Sequence, residues 1–211
     1  MSEDEARAWI EAHFDVPRET MAALDRFASF LRESNERQNL VSSASLLQLW
    51  RRHIVDSAQL LSLAPSHDAG WLDLGAGAGF PGLIVAALHG GPVTLIEERR
   101  LRVEFLREAA RLMSLDVEVI GGKVERVAAR PFGVISARAF APLPRLLDLG
   151  LRFSTGKTVW LLPKGRNAQA ELEALGTSWQ GDFRLEASVT DQEARIIVAT
   201  GVRQGIKRKT G

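Results

Sequence analysis

The chain changes its period partway along its length. Through the first 65 or so residues, apolar side chains recur at three- and four-residue steps. Met21, Leu24, Phe27 and Leu31 share one face of an amphipathic helix. A second helical stretch is predicted over residues 45–63, carrying Leu46, Leu49, His53, Val55 and Asp56, and residues 64–68 have turn composition. From residue 70 short apolar runs alternate with helical ones. Strands are predicted at 70–74, 92–97, 117–120, 133–136 and 158–162, and helices at 81–88, 99–113, 142–151 and 168–175. Such alternation predicts an α/β fold, a parallel sheet with helices on both faces. Two last β-like runs, 183–190 and 194–202, flank Asp191-Gln192-Glu193 and predict an antiparallel hairpin at the sheet's edge. The expected division is a helical extension over 1–66, an α/β domain over 67–203 and a tail over 204–211.

Composition narrows the function classes. A chain of 211 residues, 45% hydrophobic, has room for one large domain or one domain with an extension. Its 27 Lys+Arg balance 26 Asp+Glu, so bulk charge selects no partner. Local charge says more: residues 1–36 hold nine acids against four arginines, while 203–211 hold Arg203, Lys207, Arg208 and Lys209 with no acid. That tail either neutralises phosphates or is basic by chance. There is no cysteine, which excludes disulfides, thiolate metal sites and cysteine nucleophiles. No apolar run reaches the about 18 residues of a membrane span, and no signal segment opens the chain. A soluble cytoplasmic protein is expected, with no metal implied and nothing demanding more than a monomer.

The chemistry concentrates in Asp73-Leu-Gly75-Ala-Gly77-Ala-Gly79-Phe-Pro81-Gly82, between the first strand and the helix after it. Gly77-x-Gly79-x-x-Gly82 has the spacing of a dinucleotide-binding loop, and Glu97 follows twenty residues after Gly77 at the end of the second strand. Backbone without side chains admits a ligand, and the downstream carboxylate suits a ribose diol. Together they point to an adenosine-type cofactor. Asp73 is expected to point into the crevice at the strand ends. A carboxylate there repels the pyrophosphate of NAD and suits the positive sulfonium and amino group of S-adenosylmethionine. Its alternative role is a helix N-cap. The rest of the chain is also too short for a dehydrogenase's substrate domain.

At this point the residues resemble a known family, the guanine-N7 methyltransferases of small-subunit ribosomal RNA (RsmG or GidB). The resemblance runs from about residue 20 to 200. Its most specific pieces are Asn39-Leu40, His53-Ile-Val-Asp56-Ser57, the loop ending Gly79-Phe80-Pro81-Gly82, Thr94-Leu-Ile-Glu97, Val124-Glu125, Ser136-Ala-Arg138-Ala-Phe-Ala141 and Leu162-Pro-Lys164-Gly165. The resemblance implies a Rossmann-like class I methyltransferase, with a mostly parallel seven-stranded sheet, a C-terminal antiparallel hairpin and an N-terminal helical extension. It implies that Gly75 and Phe80 line the S-adenosyl-L-methionine site in the loop, beside Asp73 and Gly77 expected there from the loop itself, that Glu97 takes the ribose hydroxyls, and that Val124 and Glu125 lie along the adenine. Arg138 is implied in both the cofactor site and catalysis, and Lys164, near the substrate opening, in catalysis. Pro142 and Pro144 after Arg138 depart from the family pattern. The implied partner is small-subunit ribosomal RNA or the small ribosomal subunit.

Each residue also has a plainer role open to it. His53 and Asp56 can serve a helix–domain contact, Asn39 a turn, and Arg138 an ion pair with Glu97 or Glu125. Lys164 can be a solvated strand end and Glu125 a first-turn acid, while Trp50, Trp71, Trp160 and Trp179 fit the core. The implied chemistry asks little of the protein. Guanine N7 has a lone pair and no hydrogen, so its methylation releases no proton and needs no general base; orientation and electrostatics suffice. The missing cysteine and the missing Asp/Asn-Pro-Pro-aromatic motif argue against pyrimidine C5 and exocyclic-amine methylation. Candidate RNA contacts are Arg51, Arg52, Arg99, Arg100, Arg102, Lys164 and the tail at 203–209. Three other functions stay open: a small-molecule methyltransferase of the same fold, a non-catalytic ribosome-assembly factor, and an NAD-dependent oxidoreductase.

Overall fold

The computed structural model describes residues 1–65 and 70–205. Within them seven strands form one sheet: β1 (Trp71–Leu74), β2 (Val93–Glu97), β3 (Val117–Gly121), β4 (Val134–Ser136), β5 (Val159–Lys164), β6 (Trp179–Ala187) and β7 (Arg195–Gln204). Their order is β3-β2-β1-β4-β5-β7-β6. The four pairs among β1–β5 are parallel, and β7 runs antiparallel to both β5 and β6. Strand order reverses between β1 and β4, and ligands of open α/β sheets bind at such a reversal, beyond the strands' carboxyl ends. The helices are α1 (Glu3–His13), α2 (Arg18–Asn35), α3 (Ser43–Leu46), α4 (Asp56–Ala58), α5 (Gly82–His89), α6 (Arg100–Leu112), α7 (Leu143–Gly150) and α8 (Ala168–Glu173). The result is a Rossmann-like mixed sheet with flanking helices.

The central strands are buried along their length and mostly apolar because both of their faces are covered, with Asp73, Thr94, Glu97 and Ser136 as buried polar exceptions. Alternate residues enter opposite cores. Trp71, Val134, Leu161 and Val198 join one cluster with α2, α5 and α6, while Leu72, Leu74, Ile135, Trp160 and Ile197 join the other with α7. Trp50, Trp71 and Trp160 are buried, and Trp179 packs against the second cluster.

Two elements differ from the sequence expectation. The 45–63 stretch is not one α-helix: α3 is followed by a wide π-turn over Trp50–Val55, α4, and a 3₁₀ turn over Gln59–Leu63. The Glu3 carboxylate of α1 accepts the backbone N–H groups of Trp50 and Arg51 at 3.0 and 3.1 Å, replacing two bonds of a regular helix. β6 begins at Trp179 rather than 183, because its outer positions are polar and its register slips at Gly181, where φ is +156°. It also ends earlier, at Ala187. The helix expected over 142–151 forms as α7, with Pro142 at its N-cap and Pro144 in its first turn, where proline's missing N–H costs nothing.

The second core is tight where α7 crosses β5. A Cβ on Gly150 would lie 2.6 Å from the Trp160 ring and 3.1 Å from Leu74. Alanine gains about 1 kcal/mol over glycine in helix propensity, but overpacking costs about 1–3 kcal/mol. Gly150→Ala is therefore expected to lower the urea midpoint, with a net loss of about 1 kcal/mol; a raised midpoint would contradict this packing.

Candidate functional site

Asp73, the residue before the last of β1, has no exposed surface. Its Oδ2 accepts the N–H of Gly82, the first residue of α5, at 2.9 Å, and its Oδ1 accepts the Ser136 hydroxyl at 2.8 Å. The expectation that it points into the crevice is corrected: the carboxylate caps α5 from inside the sheet. Burial pushes its carboxyl up to about 7, against the opposing pull of Ser136, Gly82 and the Arg138 charge. Gly82 must be glycine, since a Cβ would lie 2.2 Å from Leu95 and 2.8 Å from Asp73 Oδ2.

Glu97 ends β2 and is 4% exposed. Its oxygens accept the N–H groups of Gly77 at 2.9 Å and Arg99 at 2.8 Å. A carboxylate offers about four lone-pair sites, so two remain. Beside it opens a cleft of about 310 Å³, lined by Gly75, Glu97, Val124, Glu125, Arg102 and Phe140 among others. Glu125 is exposed and pairs with Arg145 at 2.6 Å.

A larger cleft of about 1020 Å³ lies on the other side of the segment following β4. Arg138 and Lys164 line it, with Arg52, His53, Asp56, Glu171, Asp191 and Arg195. Ala139, Phe140 and Ala141 line both clefts. Lys164 is not a solvated strand end, since its Nζ donates to Glu171 at 2.7 Å and the side chain is 12% exposed.

Arg138 joins three sequence motifs. It donates to His53 Nδ1 at 2.8 Å, to Asp56 Oδ2 at 3.4 Å and to the Arg52 carbonyl at 3.3 Å, and it lies 5.0 Å from the Phe80 ring centre. Its carboxylate partner is Asp56, not Glu97 or Glu125. Burial lowers its proton affinity, and the Asp56 charge and hydrogen bond offset that only in part. Arginine has no acceptor, so His53 Nδ1 accepts and the imidazole proton sits on Nε2, which is buried without a partner among the described residues. Burial first, then the charges of Arg138 and Arg52, pushes His53 down to about 3.

Of the expected cofactor residues, Gly75, Glu97, Val124 and Glu125 line the smaller cleft, and Arg138 lines the larger. Asp73, Gly77 and Phe80 are not among the lining residues of either. Phe80 is 3% exposed behind the loop, edge-on to Phe27 at 5.4 Å and stacked on His53 at 4.7 Å. Among the candidate RNA contacts, Arg99 and Arg102 line the smaller cleft, Arg100 pairs with Glu104, Arg51 donates to the Thr190 carbonyl, and Arg52 pairs with Asp191. Lys207, Arg208 and Lys209 lie outside the described residues. The sequence reading missed Phe140; an aromatic residue two positions after Arg138, past a strand end, was the available signal. Among the described residues no group of three or more His, Asp or Glu could hold a metal, and no helix is long and apolar enough to cross a membrane.

The profile of the GidB family, described as rRNA small subunit methyltransferase G, matches residues 20–197. A ribosomal RNA small subunit methyltransferase G of Zymomonas mobilis is 47% identical over 219 residues, covering 100% of this chain and 99% of the relative. One from Rhizorhabdus wittichii is 50% identical over 215 residues, covering 100% and 98%. Among solved structures, an O-methyltransferase of Bacillus cereus in complex with SAH has a TM-score of 0.57 at 16% identity, covering 92% and 96%. A putative O-methyltransferase from Klebsiella pneumoniae has a TM-score of 0.58 at 17% identity, covering 92% and 94%. These two likenesses concern the fold.

The two buried titrating groups pull stability in opposite directions. Folded Asp73 keeps its proton up to about pH 7 but loses it near 3.8 when unfolded, so its contribution is full below 3.8 and falls as pH rises. His53 titrates near 6.5 unfolded and about 3 folded, so its contribution is full above 6.5 and lost as pH falls. Between 3.8 and 6.5 the slopes oppose. Urea unfolding across that window should show stability rising more steeply with pH in Asp73→Asn than in wild type, and less steeply in His53→Gln. Each change should approach about 1.4 kcal/mol per pH unit. Wild-type slopes in both variants would contradict the assigned protonation states.

Proposed function

The chain belongs to the rRNA small subunit methyltransferase G family, and we propose that it moves the methyl group of S-adenosyl-L-methionine to N7 of a guanine in 16S ribosomal RNA. One observation supports the spatial reading: a small cleft holding the Glu97 carboxylate and a larger cleft lined by Arg52, Arg138, Lys164 and Arg195 share the wall Ala139–Phe140–Ala141 at the switch of strand order. The smaller volume is at the lower end of the about 300–1,000 Å³ usual for cofactor sites.

The residues present fit the cofactor. Glu97 has two unspent lone pairs for a ribose diol, Val124 offers an apolar wall for an adenine, and Gly75 lines the same cleft. When bound, S-adenosyl-L-methionine supplies a sulfonium methyl for in-line displacement. Asp73 acts at one remove, fixing the start of α5 and with it the return of the loop. No residue has to accept a proton, because N7 loses none. Arg138, held by His53 and Asp56, presents a fixed positive group at the larger cleft, and Lys164 stands there paired with Glu171.

In this reading residues 1–66 are an extension that braces the loop, 67–203 are the methyltransferase domain, and 204–211 are a basic tail available to phosphates. The partner is the small subunit or its RNA. Arg52, Arg138 and Lys164 are each paired with a carboxylate, at 3.7, 3.4 and 2.7 Å. Arg195 instead donates to the carbonyls of Gln192 and Ala194, with no carboxylate partner among the described residues. It has the charge left over for a phosphate.

The test is transfer from labelled S-adenosyl-L-methionine to small subunits lacking the modification, followed by nucleoside analysis. Wild type should yield labelled 7-methylguanosine, and label in any other nucleoside would contradict the target atom. Arg195→Gln should weaken subunit binding and reduce the slope of log affinity against log salt by about 0.7–0.9, as one lost phosphate contact does. An unchanged slope would remove Arg195 from the RNA interface.

A further inference from the structure

Phe140 is the only phenyl or indole ring among the described residues lining either cleft, and it lines both. Its placement is specific. β4 ends at Ser136, and Ala139 takes a left-handed turn at φ +52°, uncommon for a residue with a side chain. That turn lays the Phe140 ring over Gly75, where a Cβ would come 2.3 Å from Cδ2. The ring thus stands half-buried between the place proposed for the methyl donor and the cleft proposed for its acceptor.

The chemistry makes a demand that no free charge in this cleft meets. As the N7 lone pair forms the new C–N bond, the C–S bond breaks and its electron pair returns to sulfur. Positive charge passes from the sulfonium to the purine, and no proton leaves. The acids lining the larger cleft, Asp56, Glu171 and Asp191, are already paired with Arg138, Lys164 and Arg52. The face of an aromatic ring carries negative charge density and attracts cations. Unstacked bases are commonly held on such rings.

We propose that Phe140 is the stacking platform for the guanine that receives the methyl group, gripping the base before transfer and favouring its cationic product. The assignment rests on the function proposed above and adds a residue that contacts the substrate. It is tested in the full chain with Phe140→Leu, which keeps an apolar side chain but removes the ring face, and with Phe140→Tyr, which keeps the face. Three quantities are read for each: calorimetric affinity for S-adenosyl-L-methionine, single-turnover methyl transfer to unmodified small subunits, and the thermal midpoint as a check of folding.

The leucine variant should bind the cofactor within about threefold of wild type and lose transfer by about tenfold or more, the order expected for a lost base–aromatic stack. The tyrosine variant should recover most of that loss. Leucine transferring within about twofold of wild type would overturn the proposal. So would a loss in transfer no greater than its loss in cofactor binding, which would confine Phe140 to the donor side. A wild-type enzyme that labels no guanine would instead strike at the proposed function itself, and the wild-type control separates the two failures.

Discussion

The Asp73 carboxylate, closed off from water, carries the geometry on which both clefts depend. It holds the first N–H of α5 and the hydroxyl at the end of β4, so one buried group sets the two strand ends that flank the switch of strand order. Removing it would leave two buried donors without partners, at about 1–3 kcal/mol each. Keeping it is costly as well, since burial disfavours the charged form and raises its proton affinity. The glycines answer the same constraint. Gly82 leaves room for Asp73 and Leu95, and Gly75 leaves room for Phe140.

From this anchor the loop reaches the helical extension through Phe80. The ring lies against Phe27 of α2, stacks on His53 and sits under Arg138. Arg138 then returns the connection to the segment after β4 by way of His53 and Asp56. Asp56 also accepts from Thr190 at 2.9 Å, beside the turn between β6 and β7. Segments more than 130 residues apart in sequence, Asp56 and Thr190, therefore meet in one polar network. Such a network keeps Arg138 paired and fixed, which suits a reaction that needs orientation more than proton transfer.

Much of this was legible in the sequence, for identifiable reasons. The central strands are mostly apolar runs because both faces are buried, so β1 to β5 could be placed closely. Glu97 could be set at a cleft from its spacing after the glycine loop, and Val124 and Glu125 through the family resemblance. What failed depended on contacts between distant segments. The break in the 45–63 helix follows from a carboxylate at Glu3, 47 residues before Trp50. The start of β6 was hidden by its exposed polar positions and the bulge at Gly181. Asp73 turns inward, the N-cap alternative, because α5 and β4 supply its hydrogen-bond donors, and Phe80 turns toward α2 and His53, contacts that the loop's own spacing does not specify.

The most direct measurement is a calorimetric titration of the purified full chain with S-adenosyl-L-methionine and, separately, with NAD. The structure predicts one site for S-adenosyl-L-methionine, weakened by Glu97→Ala, and no binding of NAD. Binding of NAD in place of S-adenosyl-L-methionine, or cofactor binding indifferent to Glu97→Ala, would contradict the assignment of the cleft.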